Sequence, residues 1–155
     1  MRGTVKNVEP STQPSSSANL SLQAPAEVTL ATGTMQARVL LSASSTDPLA
    51  VTAQIRVEGS VVKWVFGRDL LVLGLHTPTG EGVVRVTAAK RRASIPLVDV
   101  FLQGSEGTAR LTLYRSDVVR FLELSDPVVR GEHNRQLLNL DLERELRDLL
   151  RDNEK

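Results

Sequence analysis

The sequence contains no cysteine among its 155 residues, and aromatic side chains make up only 3% of it. The absence of cysteine excludes disulfides, thiolate nucleophiles and cysteine-ligated metal or iron–sulfur sites. Histidine occurs only at His76 and His133. A typical zinc site draws on three or four ligands at short sequence spacings, which two distant histidines do not provide. We therefore expect no metal centre and no cofactor.

Recognisable catalytic motifs are also missing. The sequence has neither a G-x-S-x-G nucleophile elbow nor an H-E-x-x-H pair. The segment 77–82 has the composition of a phosphate-binding loop. It precedes a strand pattern, however, whereas such a loop follows a strand and opens a helix. The residues therefore predict that the protein is not an enzyme.

Charge and long apolar runs are equally scarce. The net charge is +1, which gives no strong attraction to nucleic acid or to a membrane surface. No stretch approaches the roughly 18 apolar residues of a membrane span, and the N-terminus lacks the apolar region of a signal peptide. We expect a cytoplasmic protein with no membrane insertion.

The first part of the chain is poor in large apolar residues. Residues 9–26 are rich in serine and proline, and such a stretch buries too little surface to offset its ordering entropy. The sequence therefore predicts a disordered tail over residues 1–26, followed by a single domain over residues 27–152.

Alternation of apolar and polar residues dominates the middle of the chain. Residues 35–41 and 51–57 both alternate in this way, which is typical of half-buried strands. The segment 58–60 contains Gly59, which favours a tight hairpin turn. Continued through residues 84–114, the pattern predicts about six strands joined mostly by short turns, and hence an antiparallel sheet.

The segment WVFGRDLL at residues 64–71 changes from strand to helix pattern. Trp64 and Phe66 fall on one strand face and are expected in the core. Gly67 ends the strand, and the next residues predict a short helix that Gly74 stops in the left-handed conformation. The adjacent Arg68 and Asp69 either bind a partner or settle the start of this helix.

The C-terminal third has helical periodicity. Ser116 and the first-turn Asp117 predict one helix start, and Pro127 predicts that this helix ends before it. A leucine stripe over residues 138–150 predicts a second helix, capped by Asn139 or Asp141. The fold class is therefore α+β: a twisted antiparallel sheet or partly closed barrel, a short central helix and two C-terminal helices.

One basic cluster stands out, formed by Lys90, Arg91 and Arg92. It either contacts phosphates or lies in a solvated loop. Single-strand nucleic-acid binders also need aromatic stacking platforms, and this chain has few aromatic residues. The sequence therefore disfavours nucleic-acid binding and favours the solvated loop.

Taken in order, these motifs resemble the SsgA-like family of actinobacterial sporulation and cell-division proteins, over residues 28 to about 150. The specific part is the block Val62–Val86, with its W-x-F-x-R-D-L-L segment and G-L-x-x-P-T-G turn. The residues that carry this signature are Trp64, Phe66, Gly67, Arg68, Asp69, Leu70, Gly74, Pro78 and Gly80. The sequence departs from the family pattern at Leu49 and Ile55, where members often carry aromatic residues.

The resemblance implies a non-catalytic protein that acts at the division septum and helps to place the tubulin-like division protein FtsZ. It also implies a homo-oligomer, as a trimer, and a fold similar to the Whirly type of some single-strand nucleic-acid binders. Binding of single-stranded nucleic acid is the alternative function. A partner surface is hypothesised at five residues: Arg68, His76, Lys90, Arg91 and Arg92.

Overall fold

Seven antiparallel strands form one sheet that curls into a half-barrel. The computed structural model describes residues 18–91 and 94–153, with side chains described except at 90–91, 132–143, 145 and 152–153. The strands are β1 (Asn19–Leu30), β2 (Gly33–Ser44), β3 (Asp47–Val57), β4 (Ser60–Gly67), β5 (Val84–Arg91), β6 (Ile95–Gly104) and β7 (Gly107–Tyr114). Two helices complete the fold, α1 (Arg68–Gly74) and α2 (Arg115–Asn153).

The sheet order is β4-β3-β2-β1-β7-β6-β5. Tight hairpins join successive strands from β1 to β4 and join β6 to β7, and β5 pairs with β6. The sets β1–β4 and β5–β7 meet where residues 26–29 of β1 pair with residues 110–113 of β7. Strands β4 and β5 are therefore the two edges of the sheet. Helix α1 connects these two edges, so it lies across the open side of the half-barrel.

The core fills the concave side of the sheet. Alternate residues of each strand point inward, and the N-terminal part of α2 adds Val118 and Phe121, both fully buried. Leu71 of α1 is also fully buried. The strand residues of this core include Val39, Leu41, Val51, Val86, Val98, Val100, Leu111 and Leu113. No helix in the described ranges is long and apolar enough to cross a membrane.

The six predicted strands are all present, and the predicted hairpin at Gly59 is confirmed. Glu58 and Gly59 both have positive φ, 45° and 83°. Two consecutive residues in this conformation define a turn whose twist matches that of the flanking strands. The turn therefore fixes the register between β3 and β4.

The predicted tail boundary near residue 26 is wrong for residues 19–26, which form most of β1. This strand pairs with β2 along its whole length. Ala24 and Ala26 are buried, while Leu20 and Leu22 pack against the edge of the core. Helix α2 packs on β1, and small inward-facing residues are compatible with that approach. Residues 1–17 lie outside the described part of the chain.

The prediction of two C-terminal helices is also wrong, because α2 runs without a break from Arg115 to Asn153 with Pro127 inside it. A proline in a helix interior loses one backbone hydrogen bond and costs about 3 kcal/mol. The helix continues because Phe121 and Ser125 before the proline are buried and Val129 after it packs on the core. The proposed caps at Asn139 and Asp141 therefore lie inside α2.

Gly74 has a different role from the predicted left-handed stop. It lies within α1, and Leu75 after it has a right-handed helical conformation. A Cβ atom at position 74 would lie 2.4 Å from Cγ1 of Val86, a core residue of β5. Glycine is therefore required here by the close approach of α1 to β5.

We expect Gly74→Ala to destabilise the protein by about 1–3 kcal/mol, as overpacking of a core does. Urea denaturation of Gly74→Ala and wild type measures this difference. Gly67→Ala is the matched control, because Gly67 has φ −68° and no heavy atom within 4 Å of an added Cβ. Equal midpoints for the two variants would contradict the role assigned to Gly74.

Candidate protein-binding surfaces

Arg68 joins the two helices of the fold. It is the first residue of α1, and its Nη1 donates a hydrogen bond to Oγ of Ser125 in α2 at 2.7 Å. Its Nη2 donates to the carbonyl oxygen of Leu122 at 2.9 Å. Ser125 in turn donates to the carbonyl oxygen of Phe121 at 2.7 Å. The guanidinium therefore ties the corner after β4 to the part of α2 just before Pro127.

The surroundings of Arg68 show that this role is architectural. Only 9% of the residue is exposed. Burial lowers the pKa of Arg68, and the carboxylates of Asp126 and Asp69 oppose that shift. The group remains protonated, since an arginine side chain keeps its charge in proteins. Helix α2 covers the guanidinium of Arg68, and a role for this residue in partner binding stays a prediction.

The two aromatic residues of the same segment differ in their burial. Phe66 is buried as expected, but Trp64 is only half-buried and packs against the rim of the core. Trp64 faces an open apolar cleft of about 320 Å³ at the end of the half-barrel. Its other walls are Val28, Leu30, Met35, Ile55, Val57, Val62, Leu102, Ala109 and Leu111, with Glu58 and Ser60 as the polar members. Such a lining suits an apolar side chain or chain segment.

The turn after α1 folds back onto β5. Thr79 forms a two-way backbone bridge with Val86. Gly80 has φ +104°, and a Cβ there would meet the carbonyl oxygen of Val84 at 2.5 Å. Pro78 and Gly80 therefore shape this turn. His76 is exposed beside it and stays available to a partner.

The predicted basic cluster falls where the structure gives no side-chain description. The side chains of Lys90 and Arg91, and Arg92 as a whole, lie outside the described part of the molecule. Their role in partner binding stays a prediction. Among the described residues, no group of three or more histidine, aspartate or glutamate side chains is placed to hold a metal ion.

A second group of basic residues, which sequence reasoning missed, lies on the convex face of the sheet. Arg38 of β2, Arg56 of β3 and Lys63 of β4 are exposed and alternate with inward-facing neighbours. Arg38 and Arg56 lie directly opposite each other in the register of β2 and β3. We call these three residues the basic strip. The alternation was visible in the sequence, but the register that aligns them was not.

Comparison with known proteins identifies relatives over most of this sheet. The family model described as "Streptomyces sporulation and cell division protein, SsgA" matches residues 37–133. The sporulation-specific cell division protein SsgB of Kineococcus radiotolerans is 38% identical over 96 residues, which span 61% of this chain and 58% of that protein. SsgB of Streptomyces coelicolor is 38% identical over 106 residues, 67% of this chain and 74% of that protein.

Solved structures show the same architecture. A structure from work on SsgB mutations and longitudinal cell division during sporulation of Streptomyces coelicolor has a TM-score of 0.67 at 31% identity, covering 76% of this chain and 95% of that one. The crystal structure of an SsgA-like sporulation-specific cell division protein from Thermobifida fusca has a TM-score of 0.68, covering 88% and 98%. The latter, at 23% identity, supports the fold alone.

We expect Arg68→Ala to lower the free energy of unfolding by about 2–4 kcal/mol, because hydrogen bonds from a charged donor contribute about 1.5–3 kcal/mol each. Arg130→Ala is the control. Arg130 forms an exposed ion pair with Asp126 on the same helix, and such pairs contribute about 0–1 kcal/mol. Chemical denaturation measures both values. If Arg68→Ala lowers the free energy of unfolding no more than Arg130→Ala does, the role of Arg68 in joining the two helices is contradicted.

Proposed function

The chain belongs to the SsgA family of sporulation and cell division proteins, and we propose that it is a non-enzymatic adaptor that acts at the division septum and helps to position FtsZ. The relatives named above support a role in cell division during sporulation. Recruitment of FtsZ and location in the cytoplasm at the septum are the finer parts of this proposal, and they come from the family resemblance.

The proposal rests on where the structure places the side chains of the signature segment, residues 64–71. Of its two charged residues, Arg68 is buried in contacts with Ser125 and Leu122 and Asp69 is exposed, and its aromatic residues pack in or beside the core. The signature thus maintains a scaffold. The surfaces that remain are an apolar cleft and a sheet face with the basic strip, which are properties of a binding module.

Self-association is part of the same proposal. Helix α2 has 39 residues and would measure about 58 Å at 1.5 Å per residue, far more than the part that packs on the sheet. Leu146, Leu149 and Leu150 are exposed near its end, and their spacing places them on one helix face. We assign this face to contacts between copies of the chain, as in the trimer that the resemblance implies.

Binding of single-stranded nucleic acid by a Whirly-like fold stays a prediction from the sequence. The cluster of Lys90, Arg91 and Arg92 on which it depends is outside the described side chains. The basic strip is no substitute, because the aromatic residues of β4, Trp64 and Phe66, face the opposite side of the sheet. Stacking of bases beside these charges therefore has no platform on this face.

We expect a fluorescent fusion of the protein to form bands at division septa in sporulating cells, because an FtsZ-positioning adaptor works there. In vitro, the purified protein should sediment with FtsZ polymers and stay in the supernatant when FtsZ is kept unpolymerised. A nucleoid pattern in cells together with no cosedimentation would contradict the proposed function.

We expect the combined change Leu146→Gln, Leu149→Gln and Leu150→Gln to convert an oligomer to single chains, because it removes the apolar face that the copies share. Light scattering coupled to size-exclusion chromatography measures the mass. The control changes Arg147→Gln and Arg151→Gln on the same turns, which leaves the leucines in place. An unchanged oligomer mass in the leucine variant would refute this assignment.

A further inference from the structure

Strand β4 is an edge strand with apolar residues on both of its faces. Its residues 61–66 read VVKWVF, whereas a strand of an antiparallel sheet with one solvated face commonly alternates apolar and polar residues. Yet among the described residues β4 pairs only with β3. Val61 and Val65 are 50% and 56% exposed on the convex face, and Val62 is 49% exposed on the concave face. Both faces of this edge are thus open to a further strand.

The turn at Glu58 and Gly59 determines which backbone groups face the open edge. In a two-residue hairpin the closing pair, here Val57 and Ser60, is hydrogen-bonded. Hydrogen-bonded and non-hydrogen-bonded pairs then alternate along an antiparallel ladder. The N–H and C=O groups of Val61, Lys63 and Val65 therefore point away from β3. These three residues present a free ladder with valine side chains on either side of a lysine.

The basic strip borders this ladder. Arg38 and Arg56 face each other across β2 and β3, and like charges directly opposite each other destabilise a sheet. Lys63 lies on the same face, diagonal to Arg56. None of the three has an ion pair in the described part of the molecule. The convex face beside β4 thus carries three basic side chains, and the carboxylates nearest to them in the register are Glu27 of β1, diagonal to Arg38, and Glu58 of the turn.

We propose that β4 is a docking edge at which an extended acidic segment of a partner protein adds as an eighth strand. An acidic residue of that segment lies opposite Lys63, on the same face as the basic strip, and apolar residues two positions to each side cover Val61 and Val65. The residues between them lie beside Val62 and Trp64, over the apolar cleft. When a peptide strand adds to the edge of a sheet, main-chain hydrogen bonds provide the affinity and alternate side chains provide the specificity.

Charge decides against a second copy of the chain as the occupant. An antiparallel pair of β4 strands centred on Lys63 would place the two lysines opposite each other and bring both basic strips together. Nucleic acid is disfavoured for a different reason. Phosphates suit the basic strip, but a free strand ladder flanked by valines offers nothing to a nucleotide base.

This inference rests on the proposed function, because an adaptor needs a surface that captures a partner. Its test does not depend on the partner's identity. The probe is a capped seven-residue peptide with a central glutamate and alternating threonine and valine on each side, such that valines lie two residues from the glutamate. Fluorescence of Trp64, the single tryptophan of the chain, reports binding beside the cleft, and calorimetry gives the affinity.

We expect Lys63→Glu to weaken binding of this peptide about fivefold or more, and a peptide with central lysine to recover that loss on the variant. Arg120→Glu is the control, since Arg120 is exposed on α2 and the change in net charge is the same. Two N-methylated peptides test the ladder itself. Methyl groups on the glutamate amide and on alternate amides from it should abolish binding, and methyl groups on the intervening amides should preserve it.

Several outcomes would overturn the inference. The peptide does not bind, the two N-methylated peptides bind equally well, or the affinity is the same whichever charge stands at position 63. A loss of self-association in Lys63→Glu by light scattering would identify a second copy as the occupant. Binding of a single-stranded oligonucleotide that Lys63→Glu abolishes would identify nucleic acid. Septal bands without peptide binding reject the docking edge alone, whereas absence of septal bands rejects the adaptor role.

Discussion

The hydrogen bonds from Arg68 to Ser125 and Leu122 are the interaction on which the rest of the structure depends. The sheet is an open half-barrel, and α1 with the turn that follows joins its two edge strands along the chain. Arg68 fixes the start of α1 against α2, which packs Val118 and Phe121 on the concave face. With α1 held there, Gly74 can approach Val86 closely, and β5 is placed relative to β4. The buried guanidinium of Arg68 thus holds the two helices together and, through α1, sets the position of β5 relative to β4.

This constraint explains why the signature segment carries an arginine at position 68. Burying a guanidinium is costly unless its donors are satisfied, and here a serine hydroxyl and a main-chain oxygen accept from it. The oxygens come from the turn of α2 that precedes Pro127. A proline there does not end the helix, because packing on both sides of it holds the helix on the sheet. Of the two roles that the sequence leaves open for Arg68, partner binding or settling the start of α1, the contacts with α2 favour the second.

The sequence predicted much of this fold and less of its surface. Alternation located six strands, and the positive-φ hairpin at Gly59 was predictable because few residues adopt that conformation. Strand β1 was missed because its inward residues include Ala24 and Ala26, which carry a weak apolar signal until β2 pairs with them. Pro127 led to a wrong prediction of where the helix ends, because local helix propensity takes no account of tertiary packing. The basic strip depends on strand register, and the role of Arg68 depends on a contact with a residue 57 positions away. Local sequence patterns therefore predict neither of them.

The corner formed by Gly67 and α1 is a rigid joint, and the docking edge proposed for partners is the neighbouring strand β4. Amide hydrogen exchange, resolved by residue with and without FtsZ polymers, tests both halves at once. We expect the amides of α1 to exchange slowly both in the free protein and with FtsZ polymers. The amides of Val61, Lys63 and Val65 should exchange rapidly in the free protein and slowly in the complex. New protection confined to residues 68–74, with the β4 amides unchanged, would contradict it.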